Sequence, residues 1–462
     1  MRRLIGFLVA SLGFSCASQD KLPPQPSGWD SDLAVAEAVD LDPAPDSVRI
    51  DLTAKPASLS VRPGTMTEVW TYNGQLPGPV IRAKVGDRLT VRLTNSLPEP
   101  TTIHWHGVRV PAEMDGLTPV KPGETFEYSF QLLDAGTFWY HPHVNSSAQV
   151  GFGLYGAIVV EDPEQPALAD ELVIVLSDAS IDPSGRLAPG DQNGWFGDYF
   201  GRESDLLLVN GRVAPSVILR AGLPQRWRLI NAARAKFYRL AIPGIEMIRV
   251  GGDGGLLEHP ETIEELTLTP GERADVLVRV GSPNGGGLVV IAKDANRLHI
   301  PGAQPDHELM RIEVSQDAKV DAPSPPATLR HIDALDIRDA LAQRLELMEK
   351  PGPAGTVLGI NGKTGAESSP IHASVETTEV WEIVNSTKFD HPFHLHGFFF
   401  QLLSVDDVAV AKREWKDTIN VQPGKRLKLG IPFDNRPGMW MFHCHILDHA
   451  DLGMMGMLML MK

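Results

Sequence analysis

The sequence is poor in cysteine, in positive charge and in long apolar runs, and each shortage excludes a class of protein. Only Cys16 and Cys444 occur among 462 residues, which argues against a fold built on disulfides. The formal net charge of −16 argues against binding to nucleic acid or to anionic membranes. The N-terminal apolar run, Leu4–Phe14, is too short to span a bilayer as a stable helix.

The N-terminal segment has the form of an export signal. Two arginines precede the apolar run, and small residues surround Cys16. We therefore expect residues 1–20 to be an export signal and the protein to be periplasmic or extracellular. Ser15–Cys16 also fits a lipoprotein cleavage site, so a lipid anchor at Cys16 is an open alternative. After export Cys444 would be a lone thiol in an oxidising compartment, which is a liability unless a metal holds it.

Glycine and proline are abundant, with 43 and 37 residues. Such a composition is typical of short strands joined by turns. No long helix is predicted, and segment 339–350 is the candidate for a short one. The length suits about three domains of ordinary size.

One sequence pattern recurs three times along the chain. Each copy opens with Asn-Gly, which predicts a hairpin turn, and continues as two alternating strands. The second strand ends at an asparagine, which is Asn95, Asn231 or Asn385. A Pro-Gly turn follows each time, at 122–123, 270–271 and 423–424. The pattern predicts three β-sandwich domains, at 48–162, 168–315 and 327–462.

Paired histidines occur in the first and third copies. Ten of the fifteen histidines fall in four clusters, at 104/106, 141/143, 391/394/396 and 443/445/449. The two imidazoles of a His-x-His pair lie on the same face of a strand. The matching position of the middle copy holds Leu240 and no such pair. Four pairs at matched positions predict eight imidazoles that converge between the two domains.

The last pair encloses Cys444, which points to the opposite face of its strand. His449 and Met454 follow five and ten residues later, and His391 precedes the third pair. Two imidazoles, one thiolate and a weak thioether form the trigonal ligand set of a blue-copper electron-transfer centre. Zinc accepts the same residue types, but eight further imidazoles exceed its tetrahedral requirement.

Four motifs hold these residues: HWHG (104–107), WYHPH (139–143), HPFHLHG (391–397) and HCHILDHADLGMM (443–455). With them the sequence resembles the three-domain multicopper oxidases, a family that includes laccases and bacterial copper-efflux oxidases. The resemblance covers most of the chain. It implies an all-β fold of three consecutive cupredoxin-like Greek-key β-barrels and four copper ions, one of type 1, one of type 2 and two of type 3.

The resemblance also implies a role for each ligand. The type 1 ligands are His391, Cys444, His449 and Met454. The type 2 ligands are His104 and His394, and the type 3 ligands are His106, His141, His143, His396, His443 and His445. In the family a donor gives single electrons to the type 1 copper, and the cysteine passes them to the trinuclear cluster. Four electrons and four protons there reduce O2 to two waters.

Two aspartates are candidates for supplying those protons. Asp115 matches an acid that lies beside the type 2 copper in the family, although Asp-Gly is also ordinary turn sequence. Bacterial relatives commonly have a glutamate directly after the position of His449, where this chain has Ala450 and then Asp451. Either Asp451 replaces that glutamate or the proton supply depends on Asp115.

The electron donor is the part that the sequence constrains least. We expect a monomeric, laccase-like oxidase of phenols or aromatic amines, and a cuprous or ferrous metallo-oxidase for copper tolerance is the alternative. The methionine-rich insertion that is typical of copper-efflux oxidases is missing, because residues 327–361 hold only Met348. The aromatic segment 195–200 is either a rim of the donor site or a packed loop.

Met455, Met457, Met459 and Met461 alternate along the last predicted strand. Thioethers on one face suit soft Cu(I), but a core-facing strand also explains the alternation, and we expect the latter. A copper-free scaffold of this fold is disfavoured because every ligand position is filled. A storage protein or electron shuttle would leave the trinuclear ligands without a use.

Overall fold

The computed structural model describes residues 25–462 except 63, 183, 188–193, 282–287, 298–304, 316–321 and 353–354. The expected export signal at 1–20, with Cys16, lies outside the described residues. Among the described residues, no helix has both the length and the apolar surface needed to cross a membrane. The fold is all-β, with three consecutive cupredoxin-like domains that each consist of two sheets.

In its described residues, the first domain contains eight strands and a short helix. The strands are β1 (Ser47–Arg62), β2 (Thr65–Tyr72), β3 (Gly78–Lys84), β4 (Arg88–Asn95), β5 (His104–His106), β6 (Thr125–Gln131), β7 (Gly136–His141) and β8 (Gly156–Glu161). The 3₁₀ turn Ala112–Met114 follows β5, and helix α1 is Ser146–Phe152. One sheet has the order β2-β1-β4-β6 and the other β3-β8-β7-β5.

The middle domain contains eleven strands in the described part of the chain. They are β9 (Asp170–Ala179), β10 (Leu206–Val209), β11 (Ser216–Arg220), β12 (Pro224–Asn231), β13 (Tyr238–Ala241), β14 (Met247–Gly252), β15 (Gly255–Ile263), β16 (Glu265–Leu268), β17 (Arg273–Arg279), β18 (Leu288–Lys293) and β19 (His307–Ser315). Helix α2 is Gly194–Phe200. The sheets have the orders β10-β9-β12-β17-β14-β15 and β11-β19-β18-β13-β16.

The third domain also has two sheets. Its strands are β20 (Leu341–Gly352), β21 (Gly355–Ile360), β22 (Ile371–Ser374), β23 (Thr377–Asn385), β24 (His391–Leu395), β25 (Gln401–Val405), β26 (Val408–Ala409), β27 (Thr418–Val421), β28 (Arg426–Phe433), β29 (Gly438–Cys444) and β30 (Met455–Met461). The 3₁₀ turn Gly365–Glu367 precedes β22, and helix α3 is Leu447–Asp451. The sheets have the orders β21-β20-β23-β28-β25-β26 and β22-β30-β29-β24-β27.

The three repeat asparagines make the same contacts in every domain. The side-chain amide of Asn95 donates to the carbonyl oxygens of Glu99 and Val120, and Asn231 and Asn385 repeat this pattern. Each asparagine carbonyl also accepts from the glycine of the following Pro-Gly turn. The repeat therefore fixes the loop that leads into β5, β13 or β24.

The Asn-Gly pairs adopt the tight turns that were predicted, but these turns do not form hairpins. The asparagines Asn73, Asn210 and Asn361 all have positive φ, as such turns require. Each turn closes with a single bridge, and the chain then crosses from one sheet to the other. The local turn chemistry is the same in a hairpin and in a corner, so the dipeptide does not distinguish them.

The prediction of a helix at 339–350 is wrong, because this segment lies mostly in β20, parallel to β23. Leu345 and Leu347 are buried in the domain core, two residues apart, as one face of a strand requires. All three helices of the described residues are short, in agreement with the absence of a predicted long helix.

The expectation that the β30 methionines face the core is also wrong. Leu458 and Leu460 fill the core, while the alternating methionines lie half-buried or exposed on the other face. Met457 lies opposite Met441, and Met459 opposite Met439, on the neighbouring β29. Opposite residues of two strands share a face. This methionine face consists of Met439, Met441, Met455, Met457, Met459 and Met461.

Candidate metal centre

Strand pairing brings the histidine motifs together. β5 runs antiparallel to β7, with His104 opposite His141, and β24 runs antiparallel to β29, with His394 opposite His443. The first and third domains thus present their imidazoles towards each other. We call these residues the histidine cluster: His104, His106, His141, His143, His394, His396, His443 and His445. Seven of the eight are buried, and His143 is partly buried.

Close contacts between ring nitrogens divide the cluster. Nε2 of His443 lies 3.2 Å from Nε2 of His143 and 3.0 Å from Nε2 of His396, so these three nitrogens converge on one point. His104 and His394 meet separately, with their Nε2 atoms 3.3 Å apart. Each of these contacts except that of His396 with His443 joins the first domain to the third. Ligand atoms so close together suit a shared metal ion.

The remaining three imidazoles form a second triplet. The ring centres of His106, His141 and His445 lie 4.9 to 5.8 Å apart. Nδ1 of His106, Nε2 of His141 and both ring nitrogens of His445 are buried and have no hydrogen-bond partner among the described residues. Burying a polar atom without a partner costs about 1–3 kcal/mol. These orphaned nitrogens fit metal ligands, because an imidazole lone pair satisfied by a metal needs no other partner.

Burial favours the neutral, metal-binding form of several rings in the cluster. Burial lowers the pKa of His104, His141 and His445, and neighbouring imidazoles lower it further. The pKa of His143 falls to about 4, mainly through burial. Neutral rings keep the lone pair that a copper ion requires.

Asp115 connects two rings of the cluster. One carboxylate oxygen accepts from Nδ1 of His104 at 2.9 Å, and the other accepts from Nδ1 of His396 at 2.7 Å. The side chain is buried. A carboxylate on Nδ1 fixes the tautomer and leaves Nε2 free to bind a metal. The predicted candidate acid therefore lies in contact with the cluster.

Asp417 is a second carboxylate at the cluster. Its Oδ1 lies 3.1 Å from Nε2 of His106, and its backbone carbonyl accepts from Nδ1 of His394 at 2.9 Å. Arg273 of the middle domain donates to both carboxylate oxygens, at 2.8 and 2.5 Å. Burial alone would raise the pKa of Asp417, but Arg273 holds it well below its usual range. Asp417 is therefore an ionised acceptor.

Sequence reasoning missed Asp417 and Arg273. They are 144 residues apart and meet only because the middle domain packs against the third. Neither belongs to a motif or to a matched position of the repeat, so no local signal identifies them. The middle copy has no histidine pair at the matched position, but it reaches the cluster through Arg273.

The cysteine group lies in the third domain, and we define it as His391, Cys444, His449 and Met454. Sγ of Cys444 is 3.4 Å from Nδ1 of His391 and 3.5 Å from Nδ1 of His449. Met454 is fully buried, and its backbone carbonyl accepts from the amide of Cys444. Two imidazoles and one thiol, with Met454 in the same buried core, match the expected trigonal set. Burial raises the pKa of the Cys444 thiol to about 12, so a cation is needed to favour the thiolate.

Aromatic residues cover the outer side of the cysteine group. Nε2 of His449 donates to the backbone oxygen of Tyr199 in α2, at 3.0 Å. The rings of Tyr199 and Phe200 lie 5.2 and 5.7 Å from Phe389, which packs on His449. A cavity of about 420 Å³ adjoins α2, and Phe200 is among its lining residues. The segment 195–200 is thus a short helix that packs on the site and borders a cavity.

Asp451 lies at a helix end instead of on an imidazole. Its carboxylate accepts from the backbone amides of Ser146 and Ser147, which begin α1 of the first domain. Burial raises the pKa of Asp451. These bonds tie α3 to α1, while the buried Asp448 accepts from Ser147 and Arg202. Of the two predicted acids, Asp115 is the one that contacts histidines directly.

The chain is similar to known proteins over nearly its whole length. Three family models, each described as multicopper oxidase, match residues 53–165, 171–295 and 333–461. The multicopper oxidase MmcO of Mycobacterium tuberculosis is 30% identical over 97% of this chain and 95% of its own length.

Solved structures agree as well. A multicopper oxidase of Campylobacter jejuni, described as a metallo-oxidase, has a TM-score of 0.83 at 29% identity over 96% of this chain and 99% of its own. A laccase of Pediococcus acidilactici has a TM-score of 0.82 at 27% identity over 96% of this chain and 95% of its own. The chain belongs to the multicopper oxidases, copper-dependent oxidoreductases that use O2.

Proposed function

We propose that this protein is a laccase-like oxidase, which takes electrons from phenols or aromatic amines at the cysteine group and passes them to O2 at the histidine cluster. The observation that carries the donor assignment is the cavity beside α2, whose lining includes three phenylalanine side chains. Phe196 and Phe200 line it, and the α2 backbone is hydrogen-bonded to His449. An aromatic ring that stacks there would lie against Phe200, which follows Tyr199 in α2, and the Tyr199 carbonyl accepts from His449.

The proposal includes four coppers. The cysteine group would hold the type 1 ion, and His104 with His394 the type 2 ion. The two triplets, His143–His396–His443 and His106–His141–His445, would each hold one ion of the type 3 pair. Bound copper supplies the one-electron chemistry between the donor and O2.

The chain provides the connection between the two centres. Cys444 is joined by peptide bonds to His443 and His445, which belong to different triplets. The carbonyl oxygen of Cys444 also accepts from Nδ1 of His443, at 2.9 Å. Electrons from the thiolate therefore have covalent paths to both halves of the cluster, and a hydrogen-bonded path to one of them.

Asp115 is the proposed acid of O2 reduction. It holds the protons on Nδ1 of His104 and of His396, and it lies between the proposed type 2 site and one triplet. Asp451, the other predicted acid, is hydrogen-bonded to Ser146 and Ser147 instead of to an imidazole. Proton supply in this protein is therefore assigned to Asp115.

A cuprous or ferrous metallo-oxidase is the second candidate, and the methionine face favours it. Met457 and Met459 lie half-buried opposite Met441 and Met439, and of these four only Met441 is buried, so three thioethers share a partly accessible face. Thioethers are soft ligands that prefer Cu(I). The Campylobacter jejuni relative described as a metallo-oxidase adds weight to this candidate.

Oxygen uptake distinguishes the two donors. The copper-loaded protein is assayed for kcat/KM with a simple phenol and with chelated Cu(I). We expect a clear preference for the phenol, which the Met457→Leu, Met459→Leu double variant retains because these exchanges conserve side-chain volume. A preference for Cu(I) that this variant loses would replace the laccase assignment with the metallo-oxidase.

The remaining partners follow from the sequence. Export to the periplasm or the cell exterior is proposed from residues 1–20, and a lipid anchor at Cys16 stays an alternative. We propose a monomer, because one chain supplies every ligand of both centres. Mass measurement of the exported protein would reveal cleavage and any lipid.

A further inference from the structure

One arginine of the middle domain contacts all three domains. Arg273 has five N–H donors, and the structure gives each of them an acceptor. Nε donates to the carbonyl of Thr137 in the first domain at 3.1 Å, and the two terminal nitrogens donate to the carbonyls of Gly271 and Asp253 at 3.0 and 2.9 Å. The same two nitrogens also donate to the carboxylate oxygens of Asp417 in the third domain.

Asp417 in turn contacts two imidazoles that come from different domains. Its carboxylate meets Nε2 of His106, whose other nitrogen, Nδ1, is orphaned and free for a metal. Its carbonyl meets Nδ1 of His394, which leaves Nε2 facing His104. The neighbouring Thr418 hydroxyl lies 3.1 Å from both His106 Nε2 and His394 Nδ1. The two rings stack with centres 3.8 Å apart.

The turn that precedes Arg273 packs on the cluster as well. Gly271 has a φ of +90°, and a Cβ there would lie 2.9 Å from His445 and 3.0 Å from His106. Only glycine leaves room for these two imidazoles at this distance. The middle domain, which has no histidine at the matched positions, thus forms one wall of the cluster.

We infer that Arg273 is a positioning residue for the trinuclear site: it fixes Asp417, and through Asp417 the orientation of His106 and His394. Metal-binding histidines depend on such outer partners, and loss of a partner typically weakens metal affinity about 10–100-fold. A planar bidentate guanidinium fits this place, whereas a lysine has only three donors and no fork. The inference rests on the proposed copper assignment.

Arg273→Lys is the test, because it keeps the charge and removes the fork. Arg228→Lys is the matched control: Arg228 is a buried arginine of the middle domain that also contacts Thr137, but its other bonds run to Glu171 and Asp275. The readouts are the type 2 EPR signal, the near-ultraviolet absorption of the type 3 pair and the chelator concentration that halves them. The type 1 blue absorption is the internal control for folding.

In Arg273→Lys we expect the trinuclear signals to be lost at about 10–100-fold lower chelator concentration, with the blue absorption unchanged. Arg228→Lys is expected to keep both the trinuclear signals and the blue absorption.

Thr418→Val removes a hydroxyl from both rings without burying an unpaired charge. If Arg273→Lys fails to fold, we expect the same direction of change in this second variant. Normal trinuclear signals in Arg273→Lys, or in Thr418→Val when the first variant does not fold, would overturn the inference. Equal loss in Arg228→Lys would overturn it too. Absence of blue absorption from the parent protein would instead contradict the proposed function, and the positioning role with it.

Discussion

At the residue scale, the decisive side chain is Cys444, since it lies between two members of the histidine cluster and faces the opposite side of β29. His443 and Cys444 lie opposite His394 and Phe393 on β24, so alternation along the strand puts the thiol in the domain core and the imidazole at the domain interface. One dipeptide thereby serves two centres. The same alternation explains why both centres could be predicted from the sequence.

Cys444→Ser is expected to abolish the blue absorption and steady turnover. The hydroxyl lacks the soft sulfur that copper prefers, while the similar size spares most of the fold. Absorption spectroscopy and oxygen uptake check the loss, and circular dichroism checks the fold. A blue band in the folded variant would contradict the assignment of Cys444.

Asp115→Asn is expected to slow O2 reduction and leave the type 1 colour unchanged. The amide cannot take a proton from solvent for delivery to the cluster, and it replaces one of the two acceptors on His104 and His396 by a donor. Stopped-flow reduction of the type 1 centre by a phenol serves as the control, since it does not involve Asp115. Unchanged turnover at every pH would remove Asp115 from the proton supply.

At the element scale, α2 is the element through which we propose that a donor reaches the cysteine group. The helix belongs to the middle domain, yet its Tyr199 carbonyl is bound to His449 of the third. Phe196, at the other end of α2, is 53% exposed and lines the cavity. The helix therefore extends from the surface to the cysteine group, the proposed electron acceptor.

Phe196→Ala is expected to raise KM for phenols several-fold with little change in kcat, because it removes a stacking partner worth about 0.5–1.5 kcal/mol. Steady-state oxygen uptake with a phenol checks this. Ferrocyanide, which has no aromatic ring, is the control donor and its KM is expected to stay the same. An equal rise for both donors would argue against aromatic recognition at α2.

Elements also mark where sequence reasoning stops. The Asn95, Asn231 and Asn385 repeat was readable because each copy uses the same local hydrogen bonds. The sequence does not predict which face of β30 is buried, because methionine and leucine alternate there and both are apolar. The buried face depends on how β30 pairs with β29 and packs in the domain. The role of Arg273 depends on contacts between domains, and no local pattern records them.

At the scale of the whole molecule, buried imidazoles couple stability to pH. In the unfolded chain a histidine takes up a proton near pH 6.5, whereas in the folded, copper-free chain the pKa of His143 is about 4 and that of His449 about 3. The unfolded state therefore binds more protons as the pH falls below 6.5, and the free energy of unfolding decreases. The contribution of these two histidines to the free energy of unfolding is fully present above pH 6.5. It is lost progressively as the pH falls towards 4 for His143 and towards 3 for His449.

The Tm of the copper-free protein is accordingly expected to fall between about pH 7 and pH 5, as several histidines contribute with the same sign. Differential scanning calorimetry at fixed ionic strength measures it. The copper-loaded protein is the control and is expected to lose less, because a bound metal competes with the proton. A Tm of the copper-free protein that stays constant over this range would show that the imidazoles are not held neutral.

The most direct test of the central claim is the stoichiometry of oxygen uptake by the copper-loaded protein. A one-electron phenol donor is titrated against dissolved O2 while peroxide is measured in parallel. Electron transfer from the cysteine group to a complete histidine cluster predicts four donor molecules oxidised per O2 consumed and no peroxide. Two donors per O2 with accumulating peroxide would contradict a trinuclear centre formed by these eight histidines.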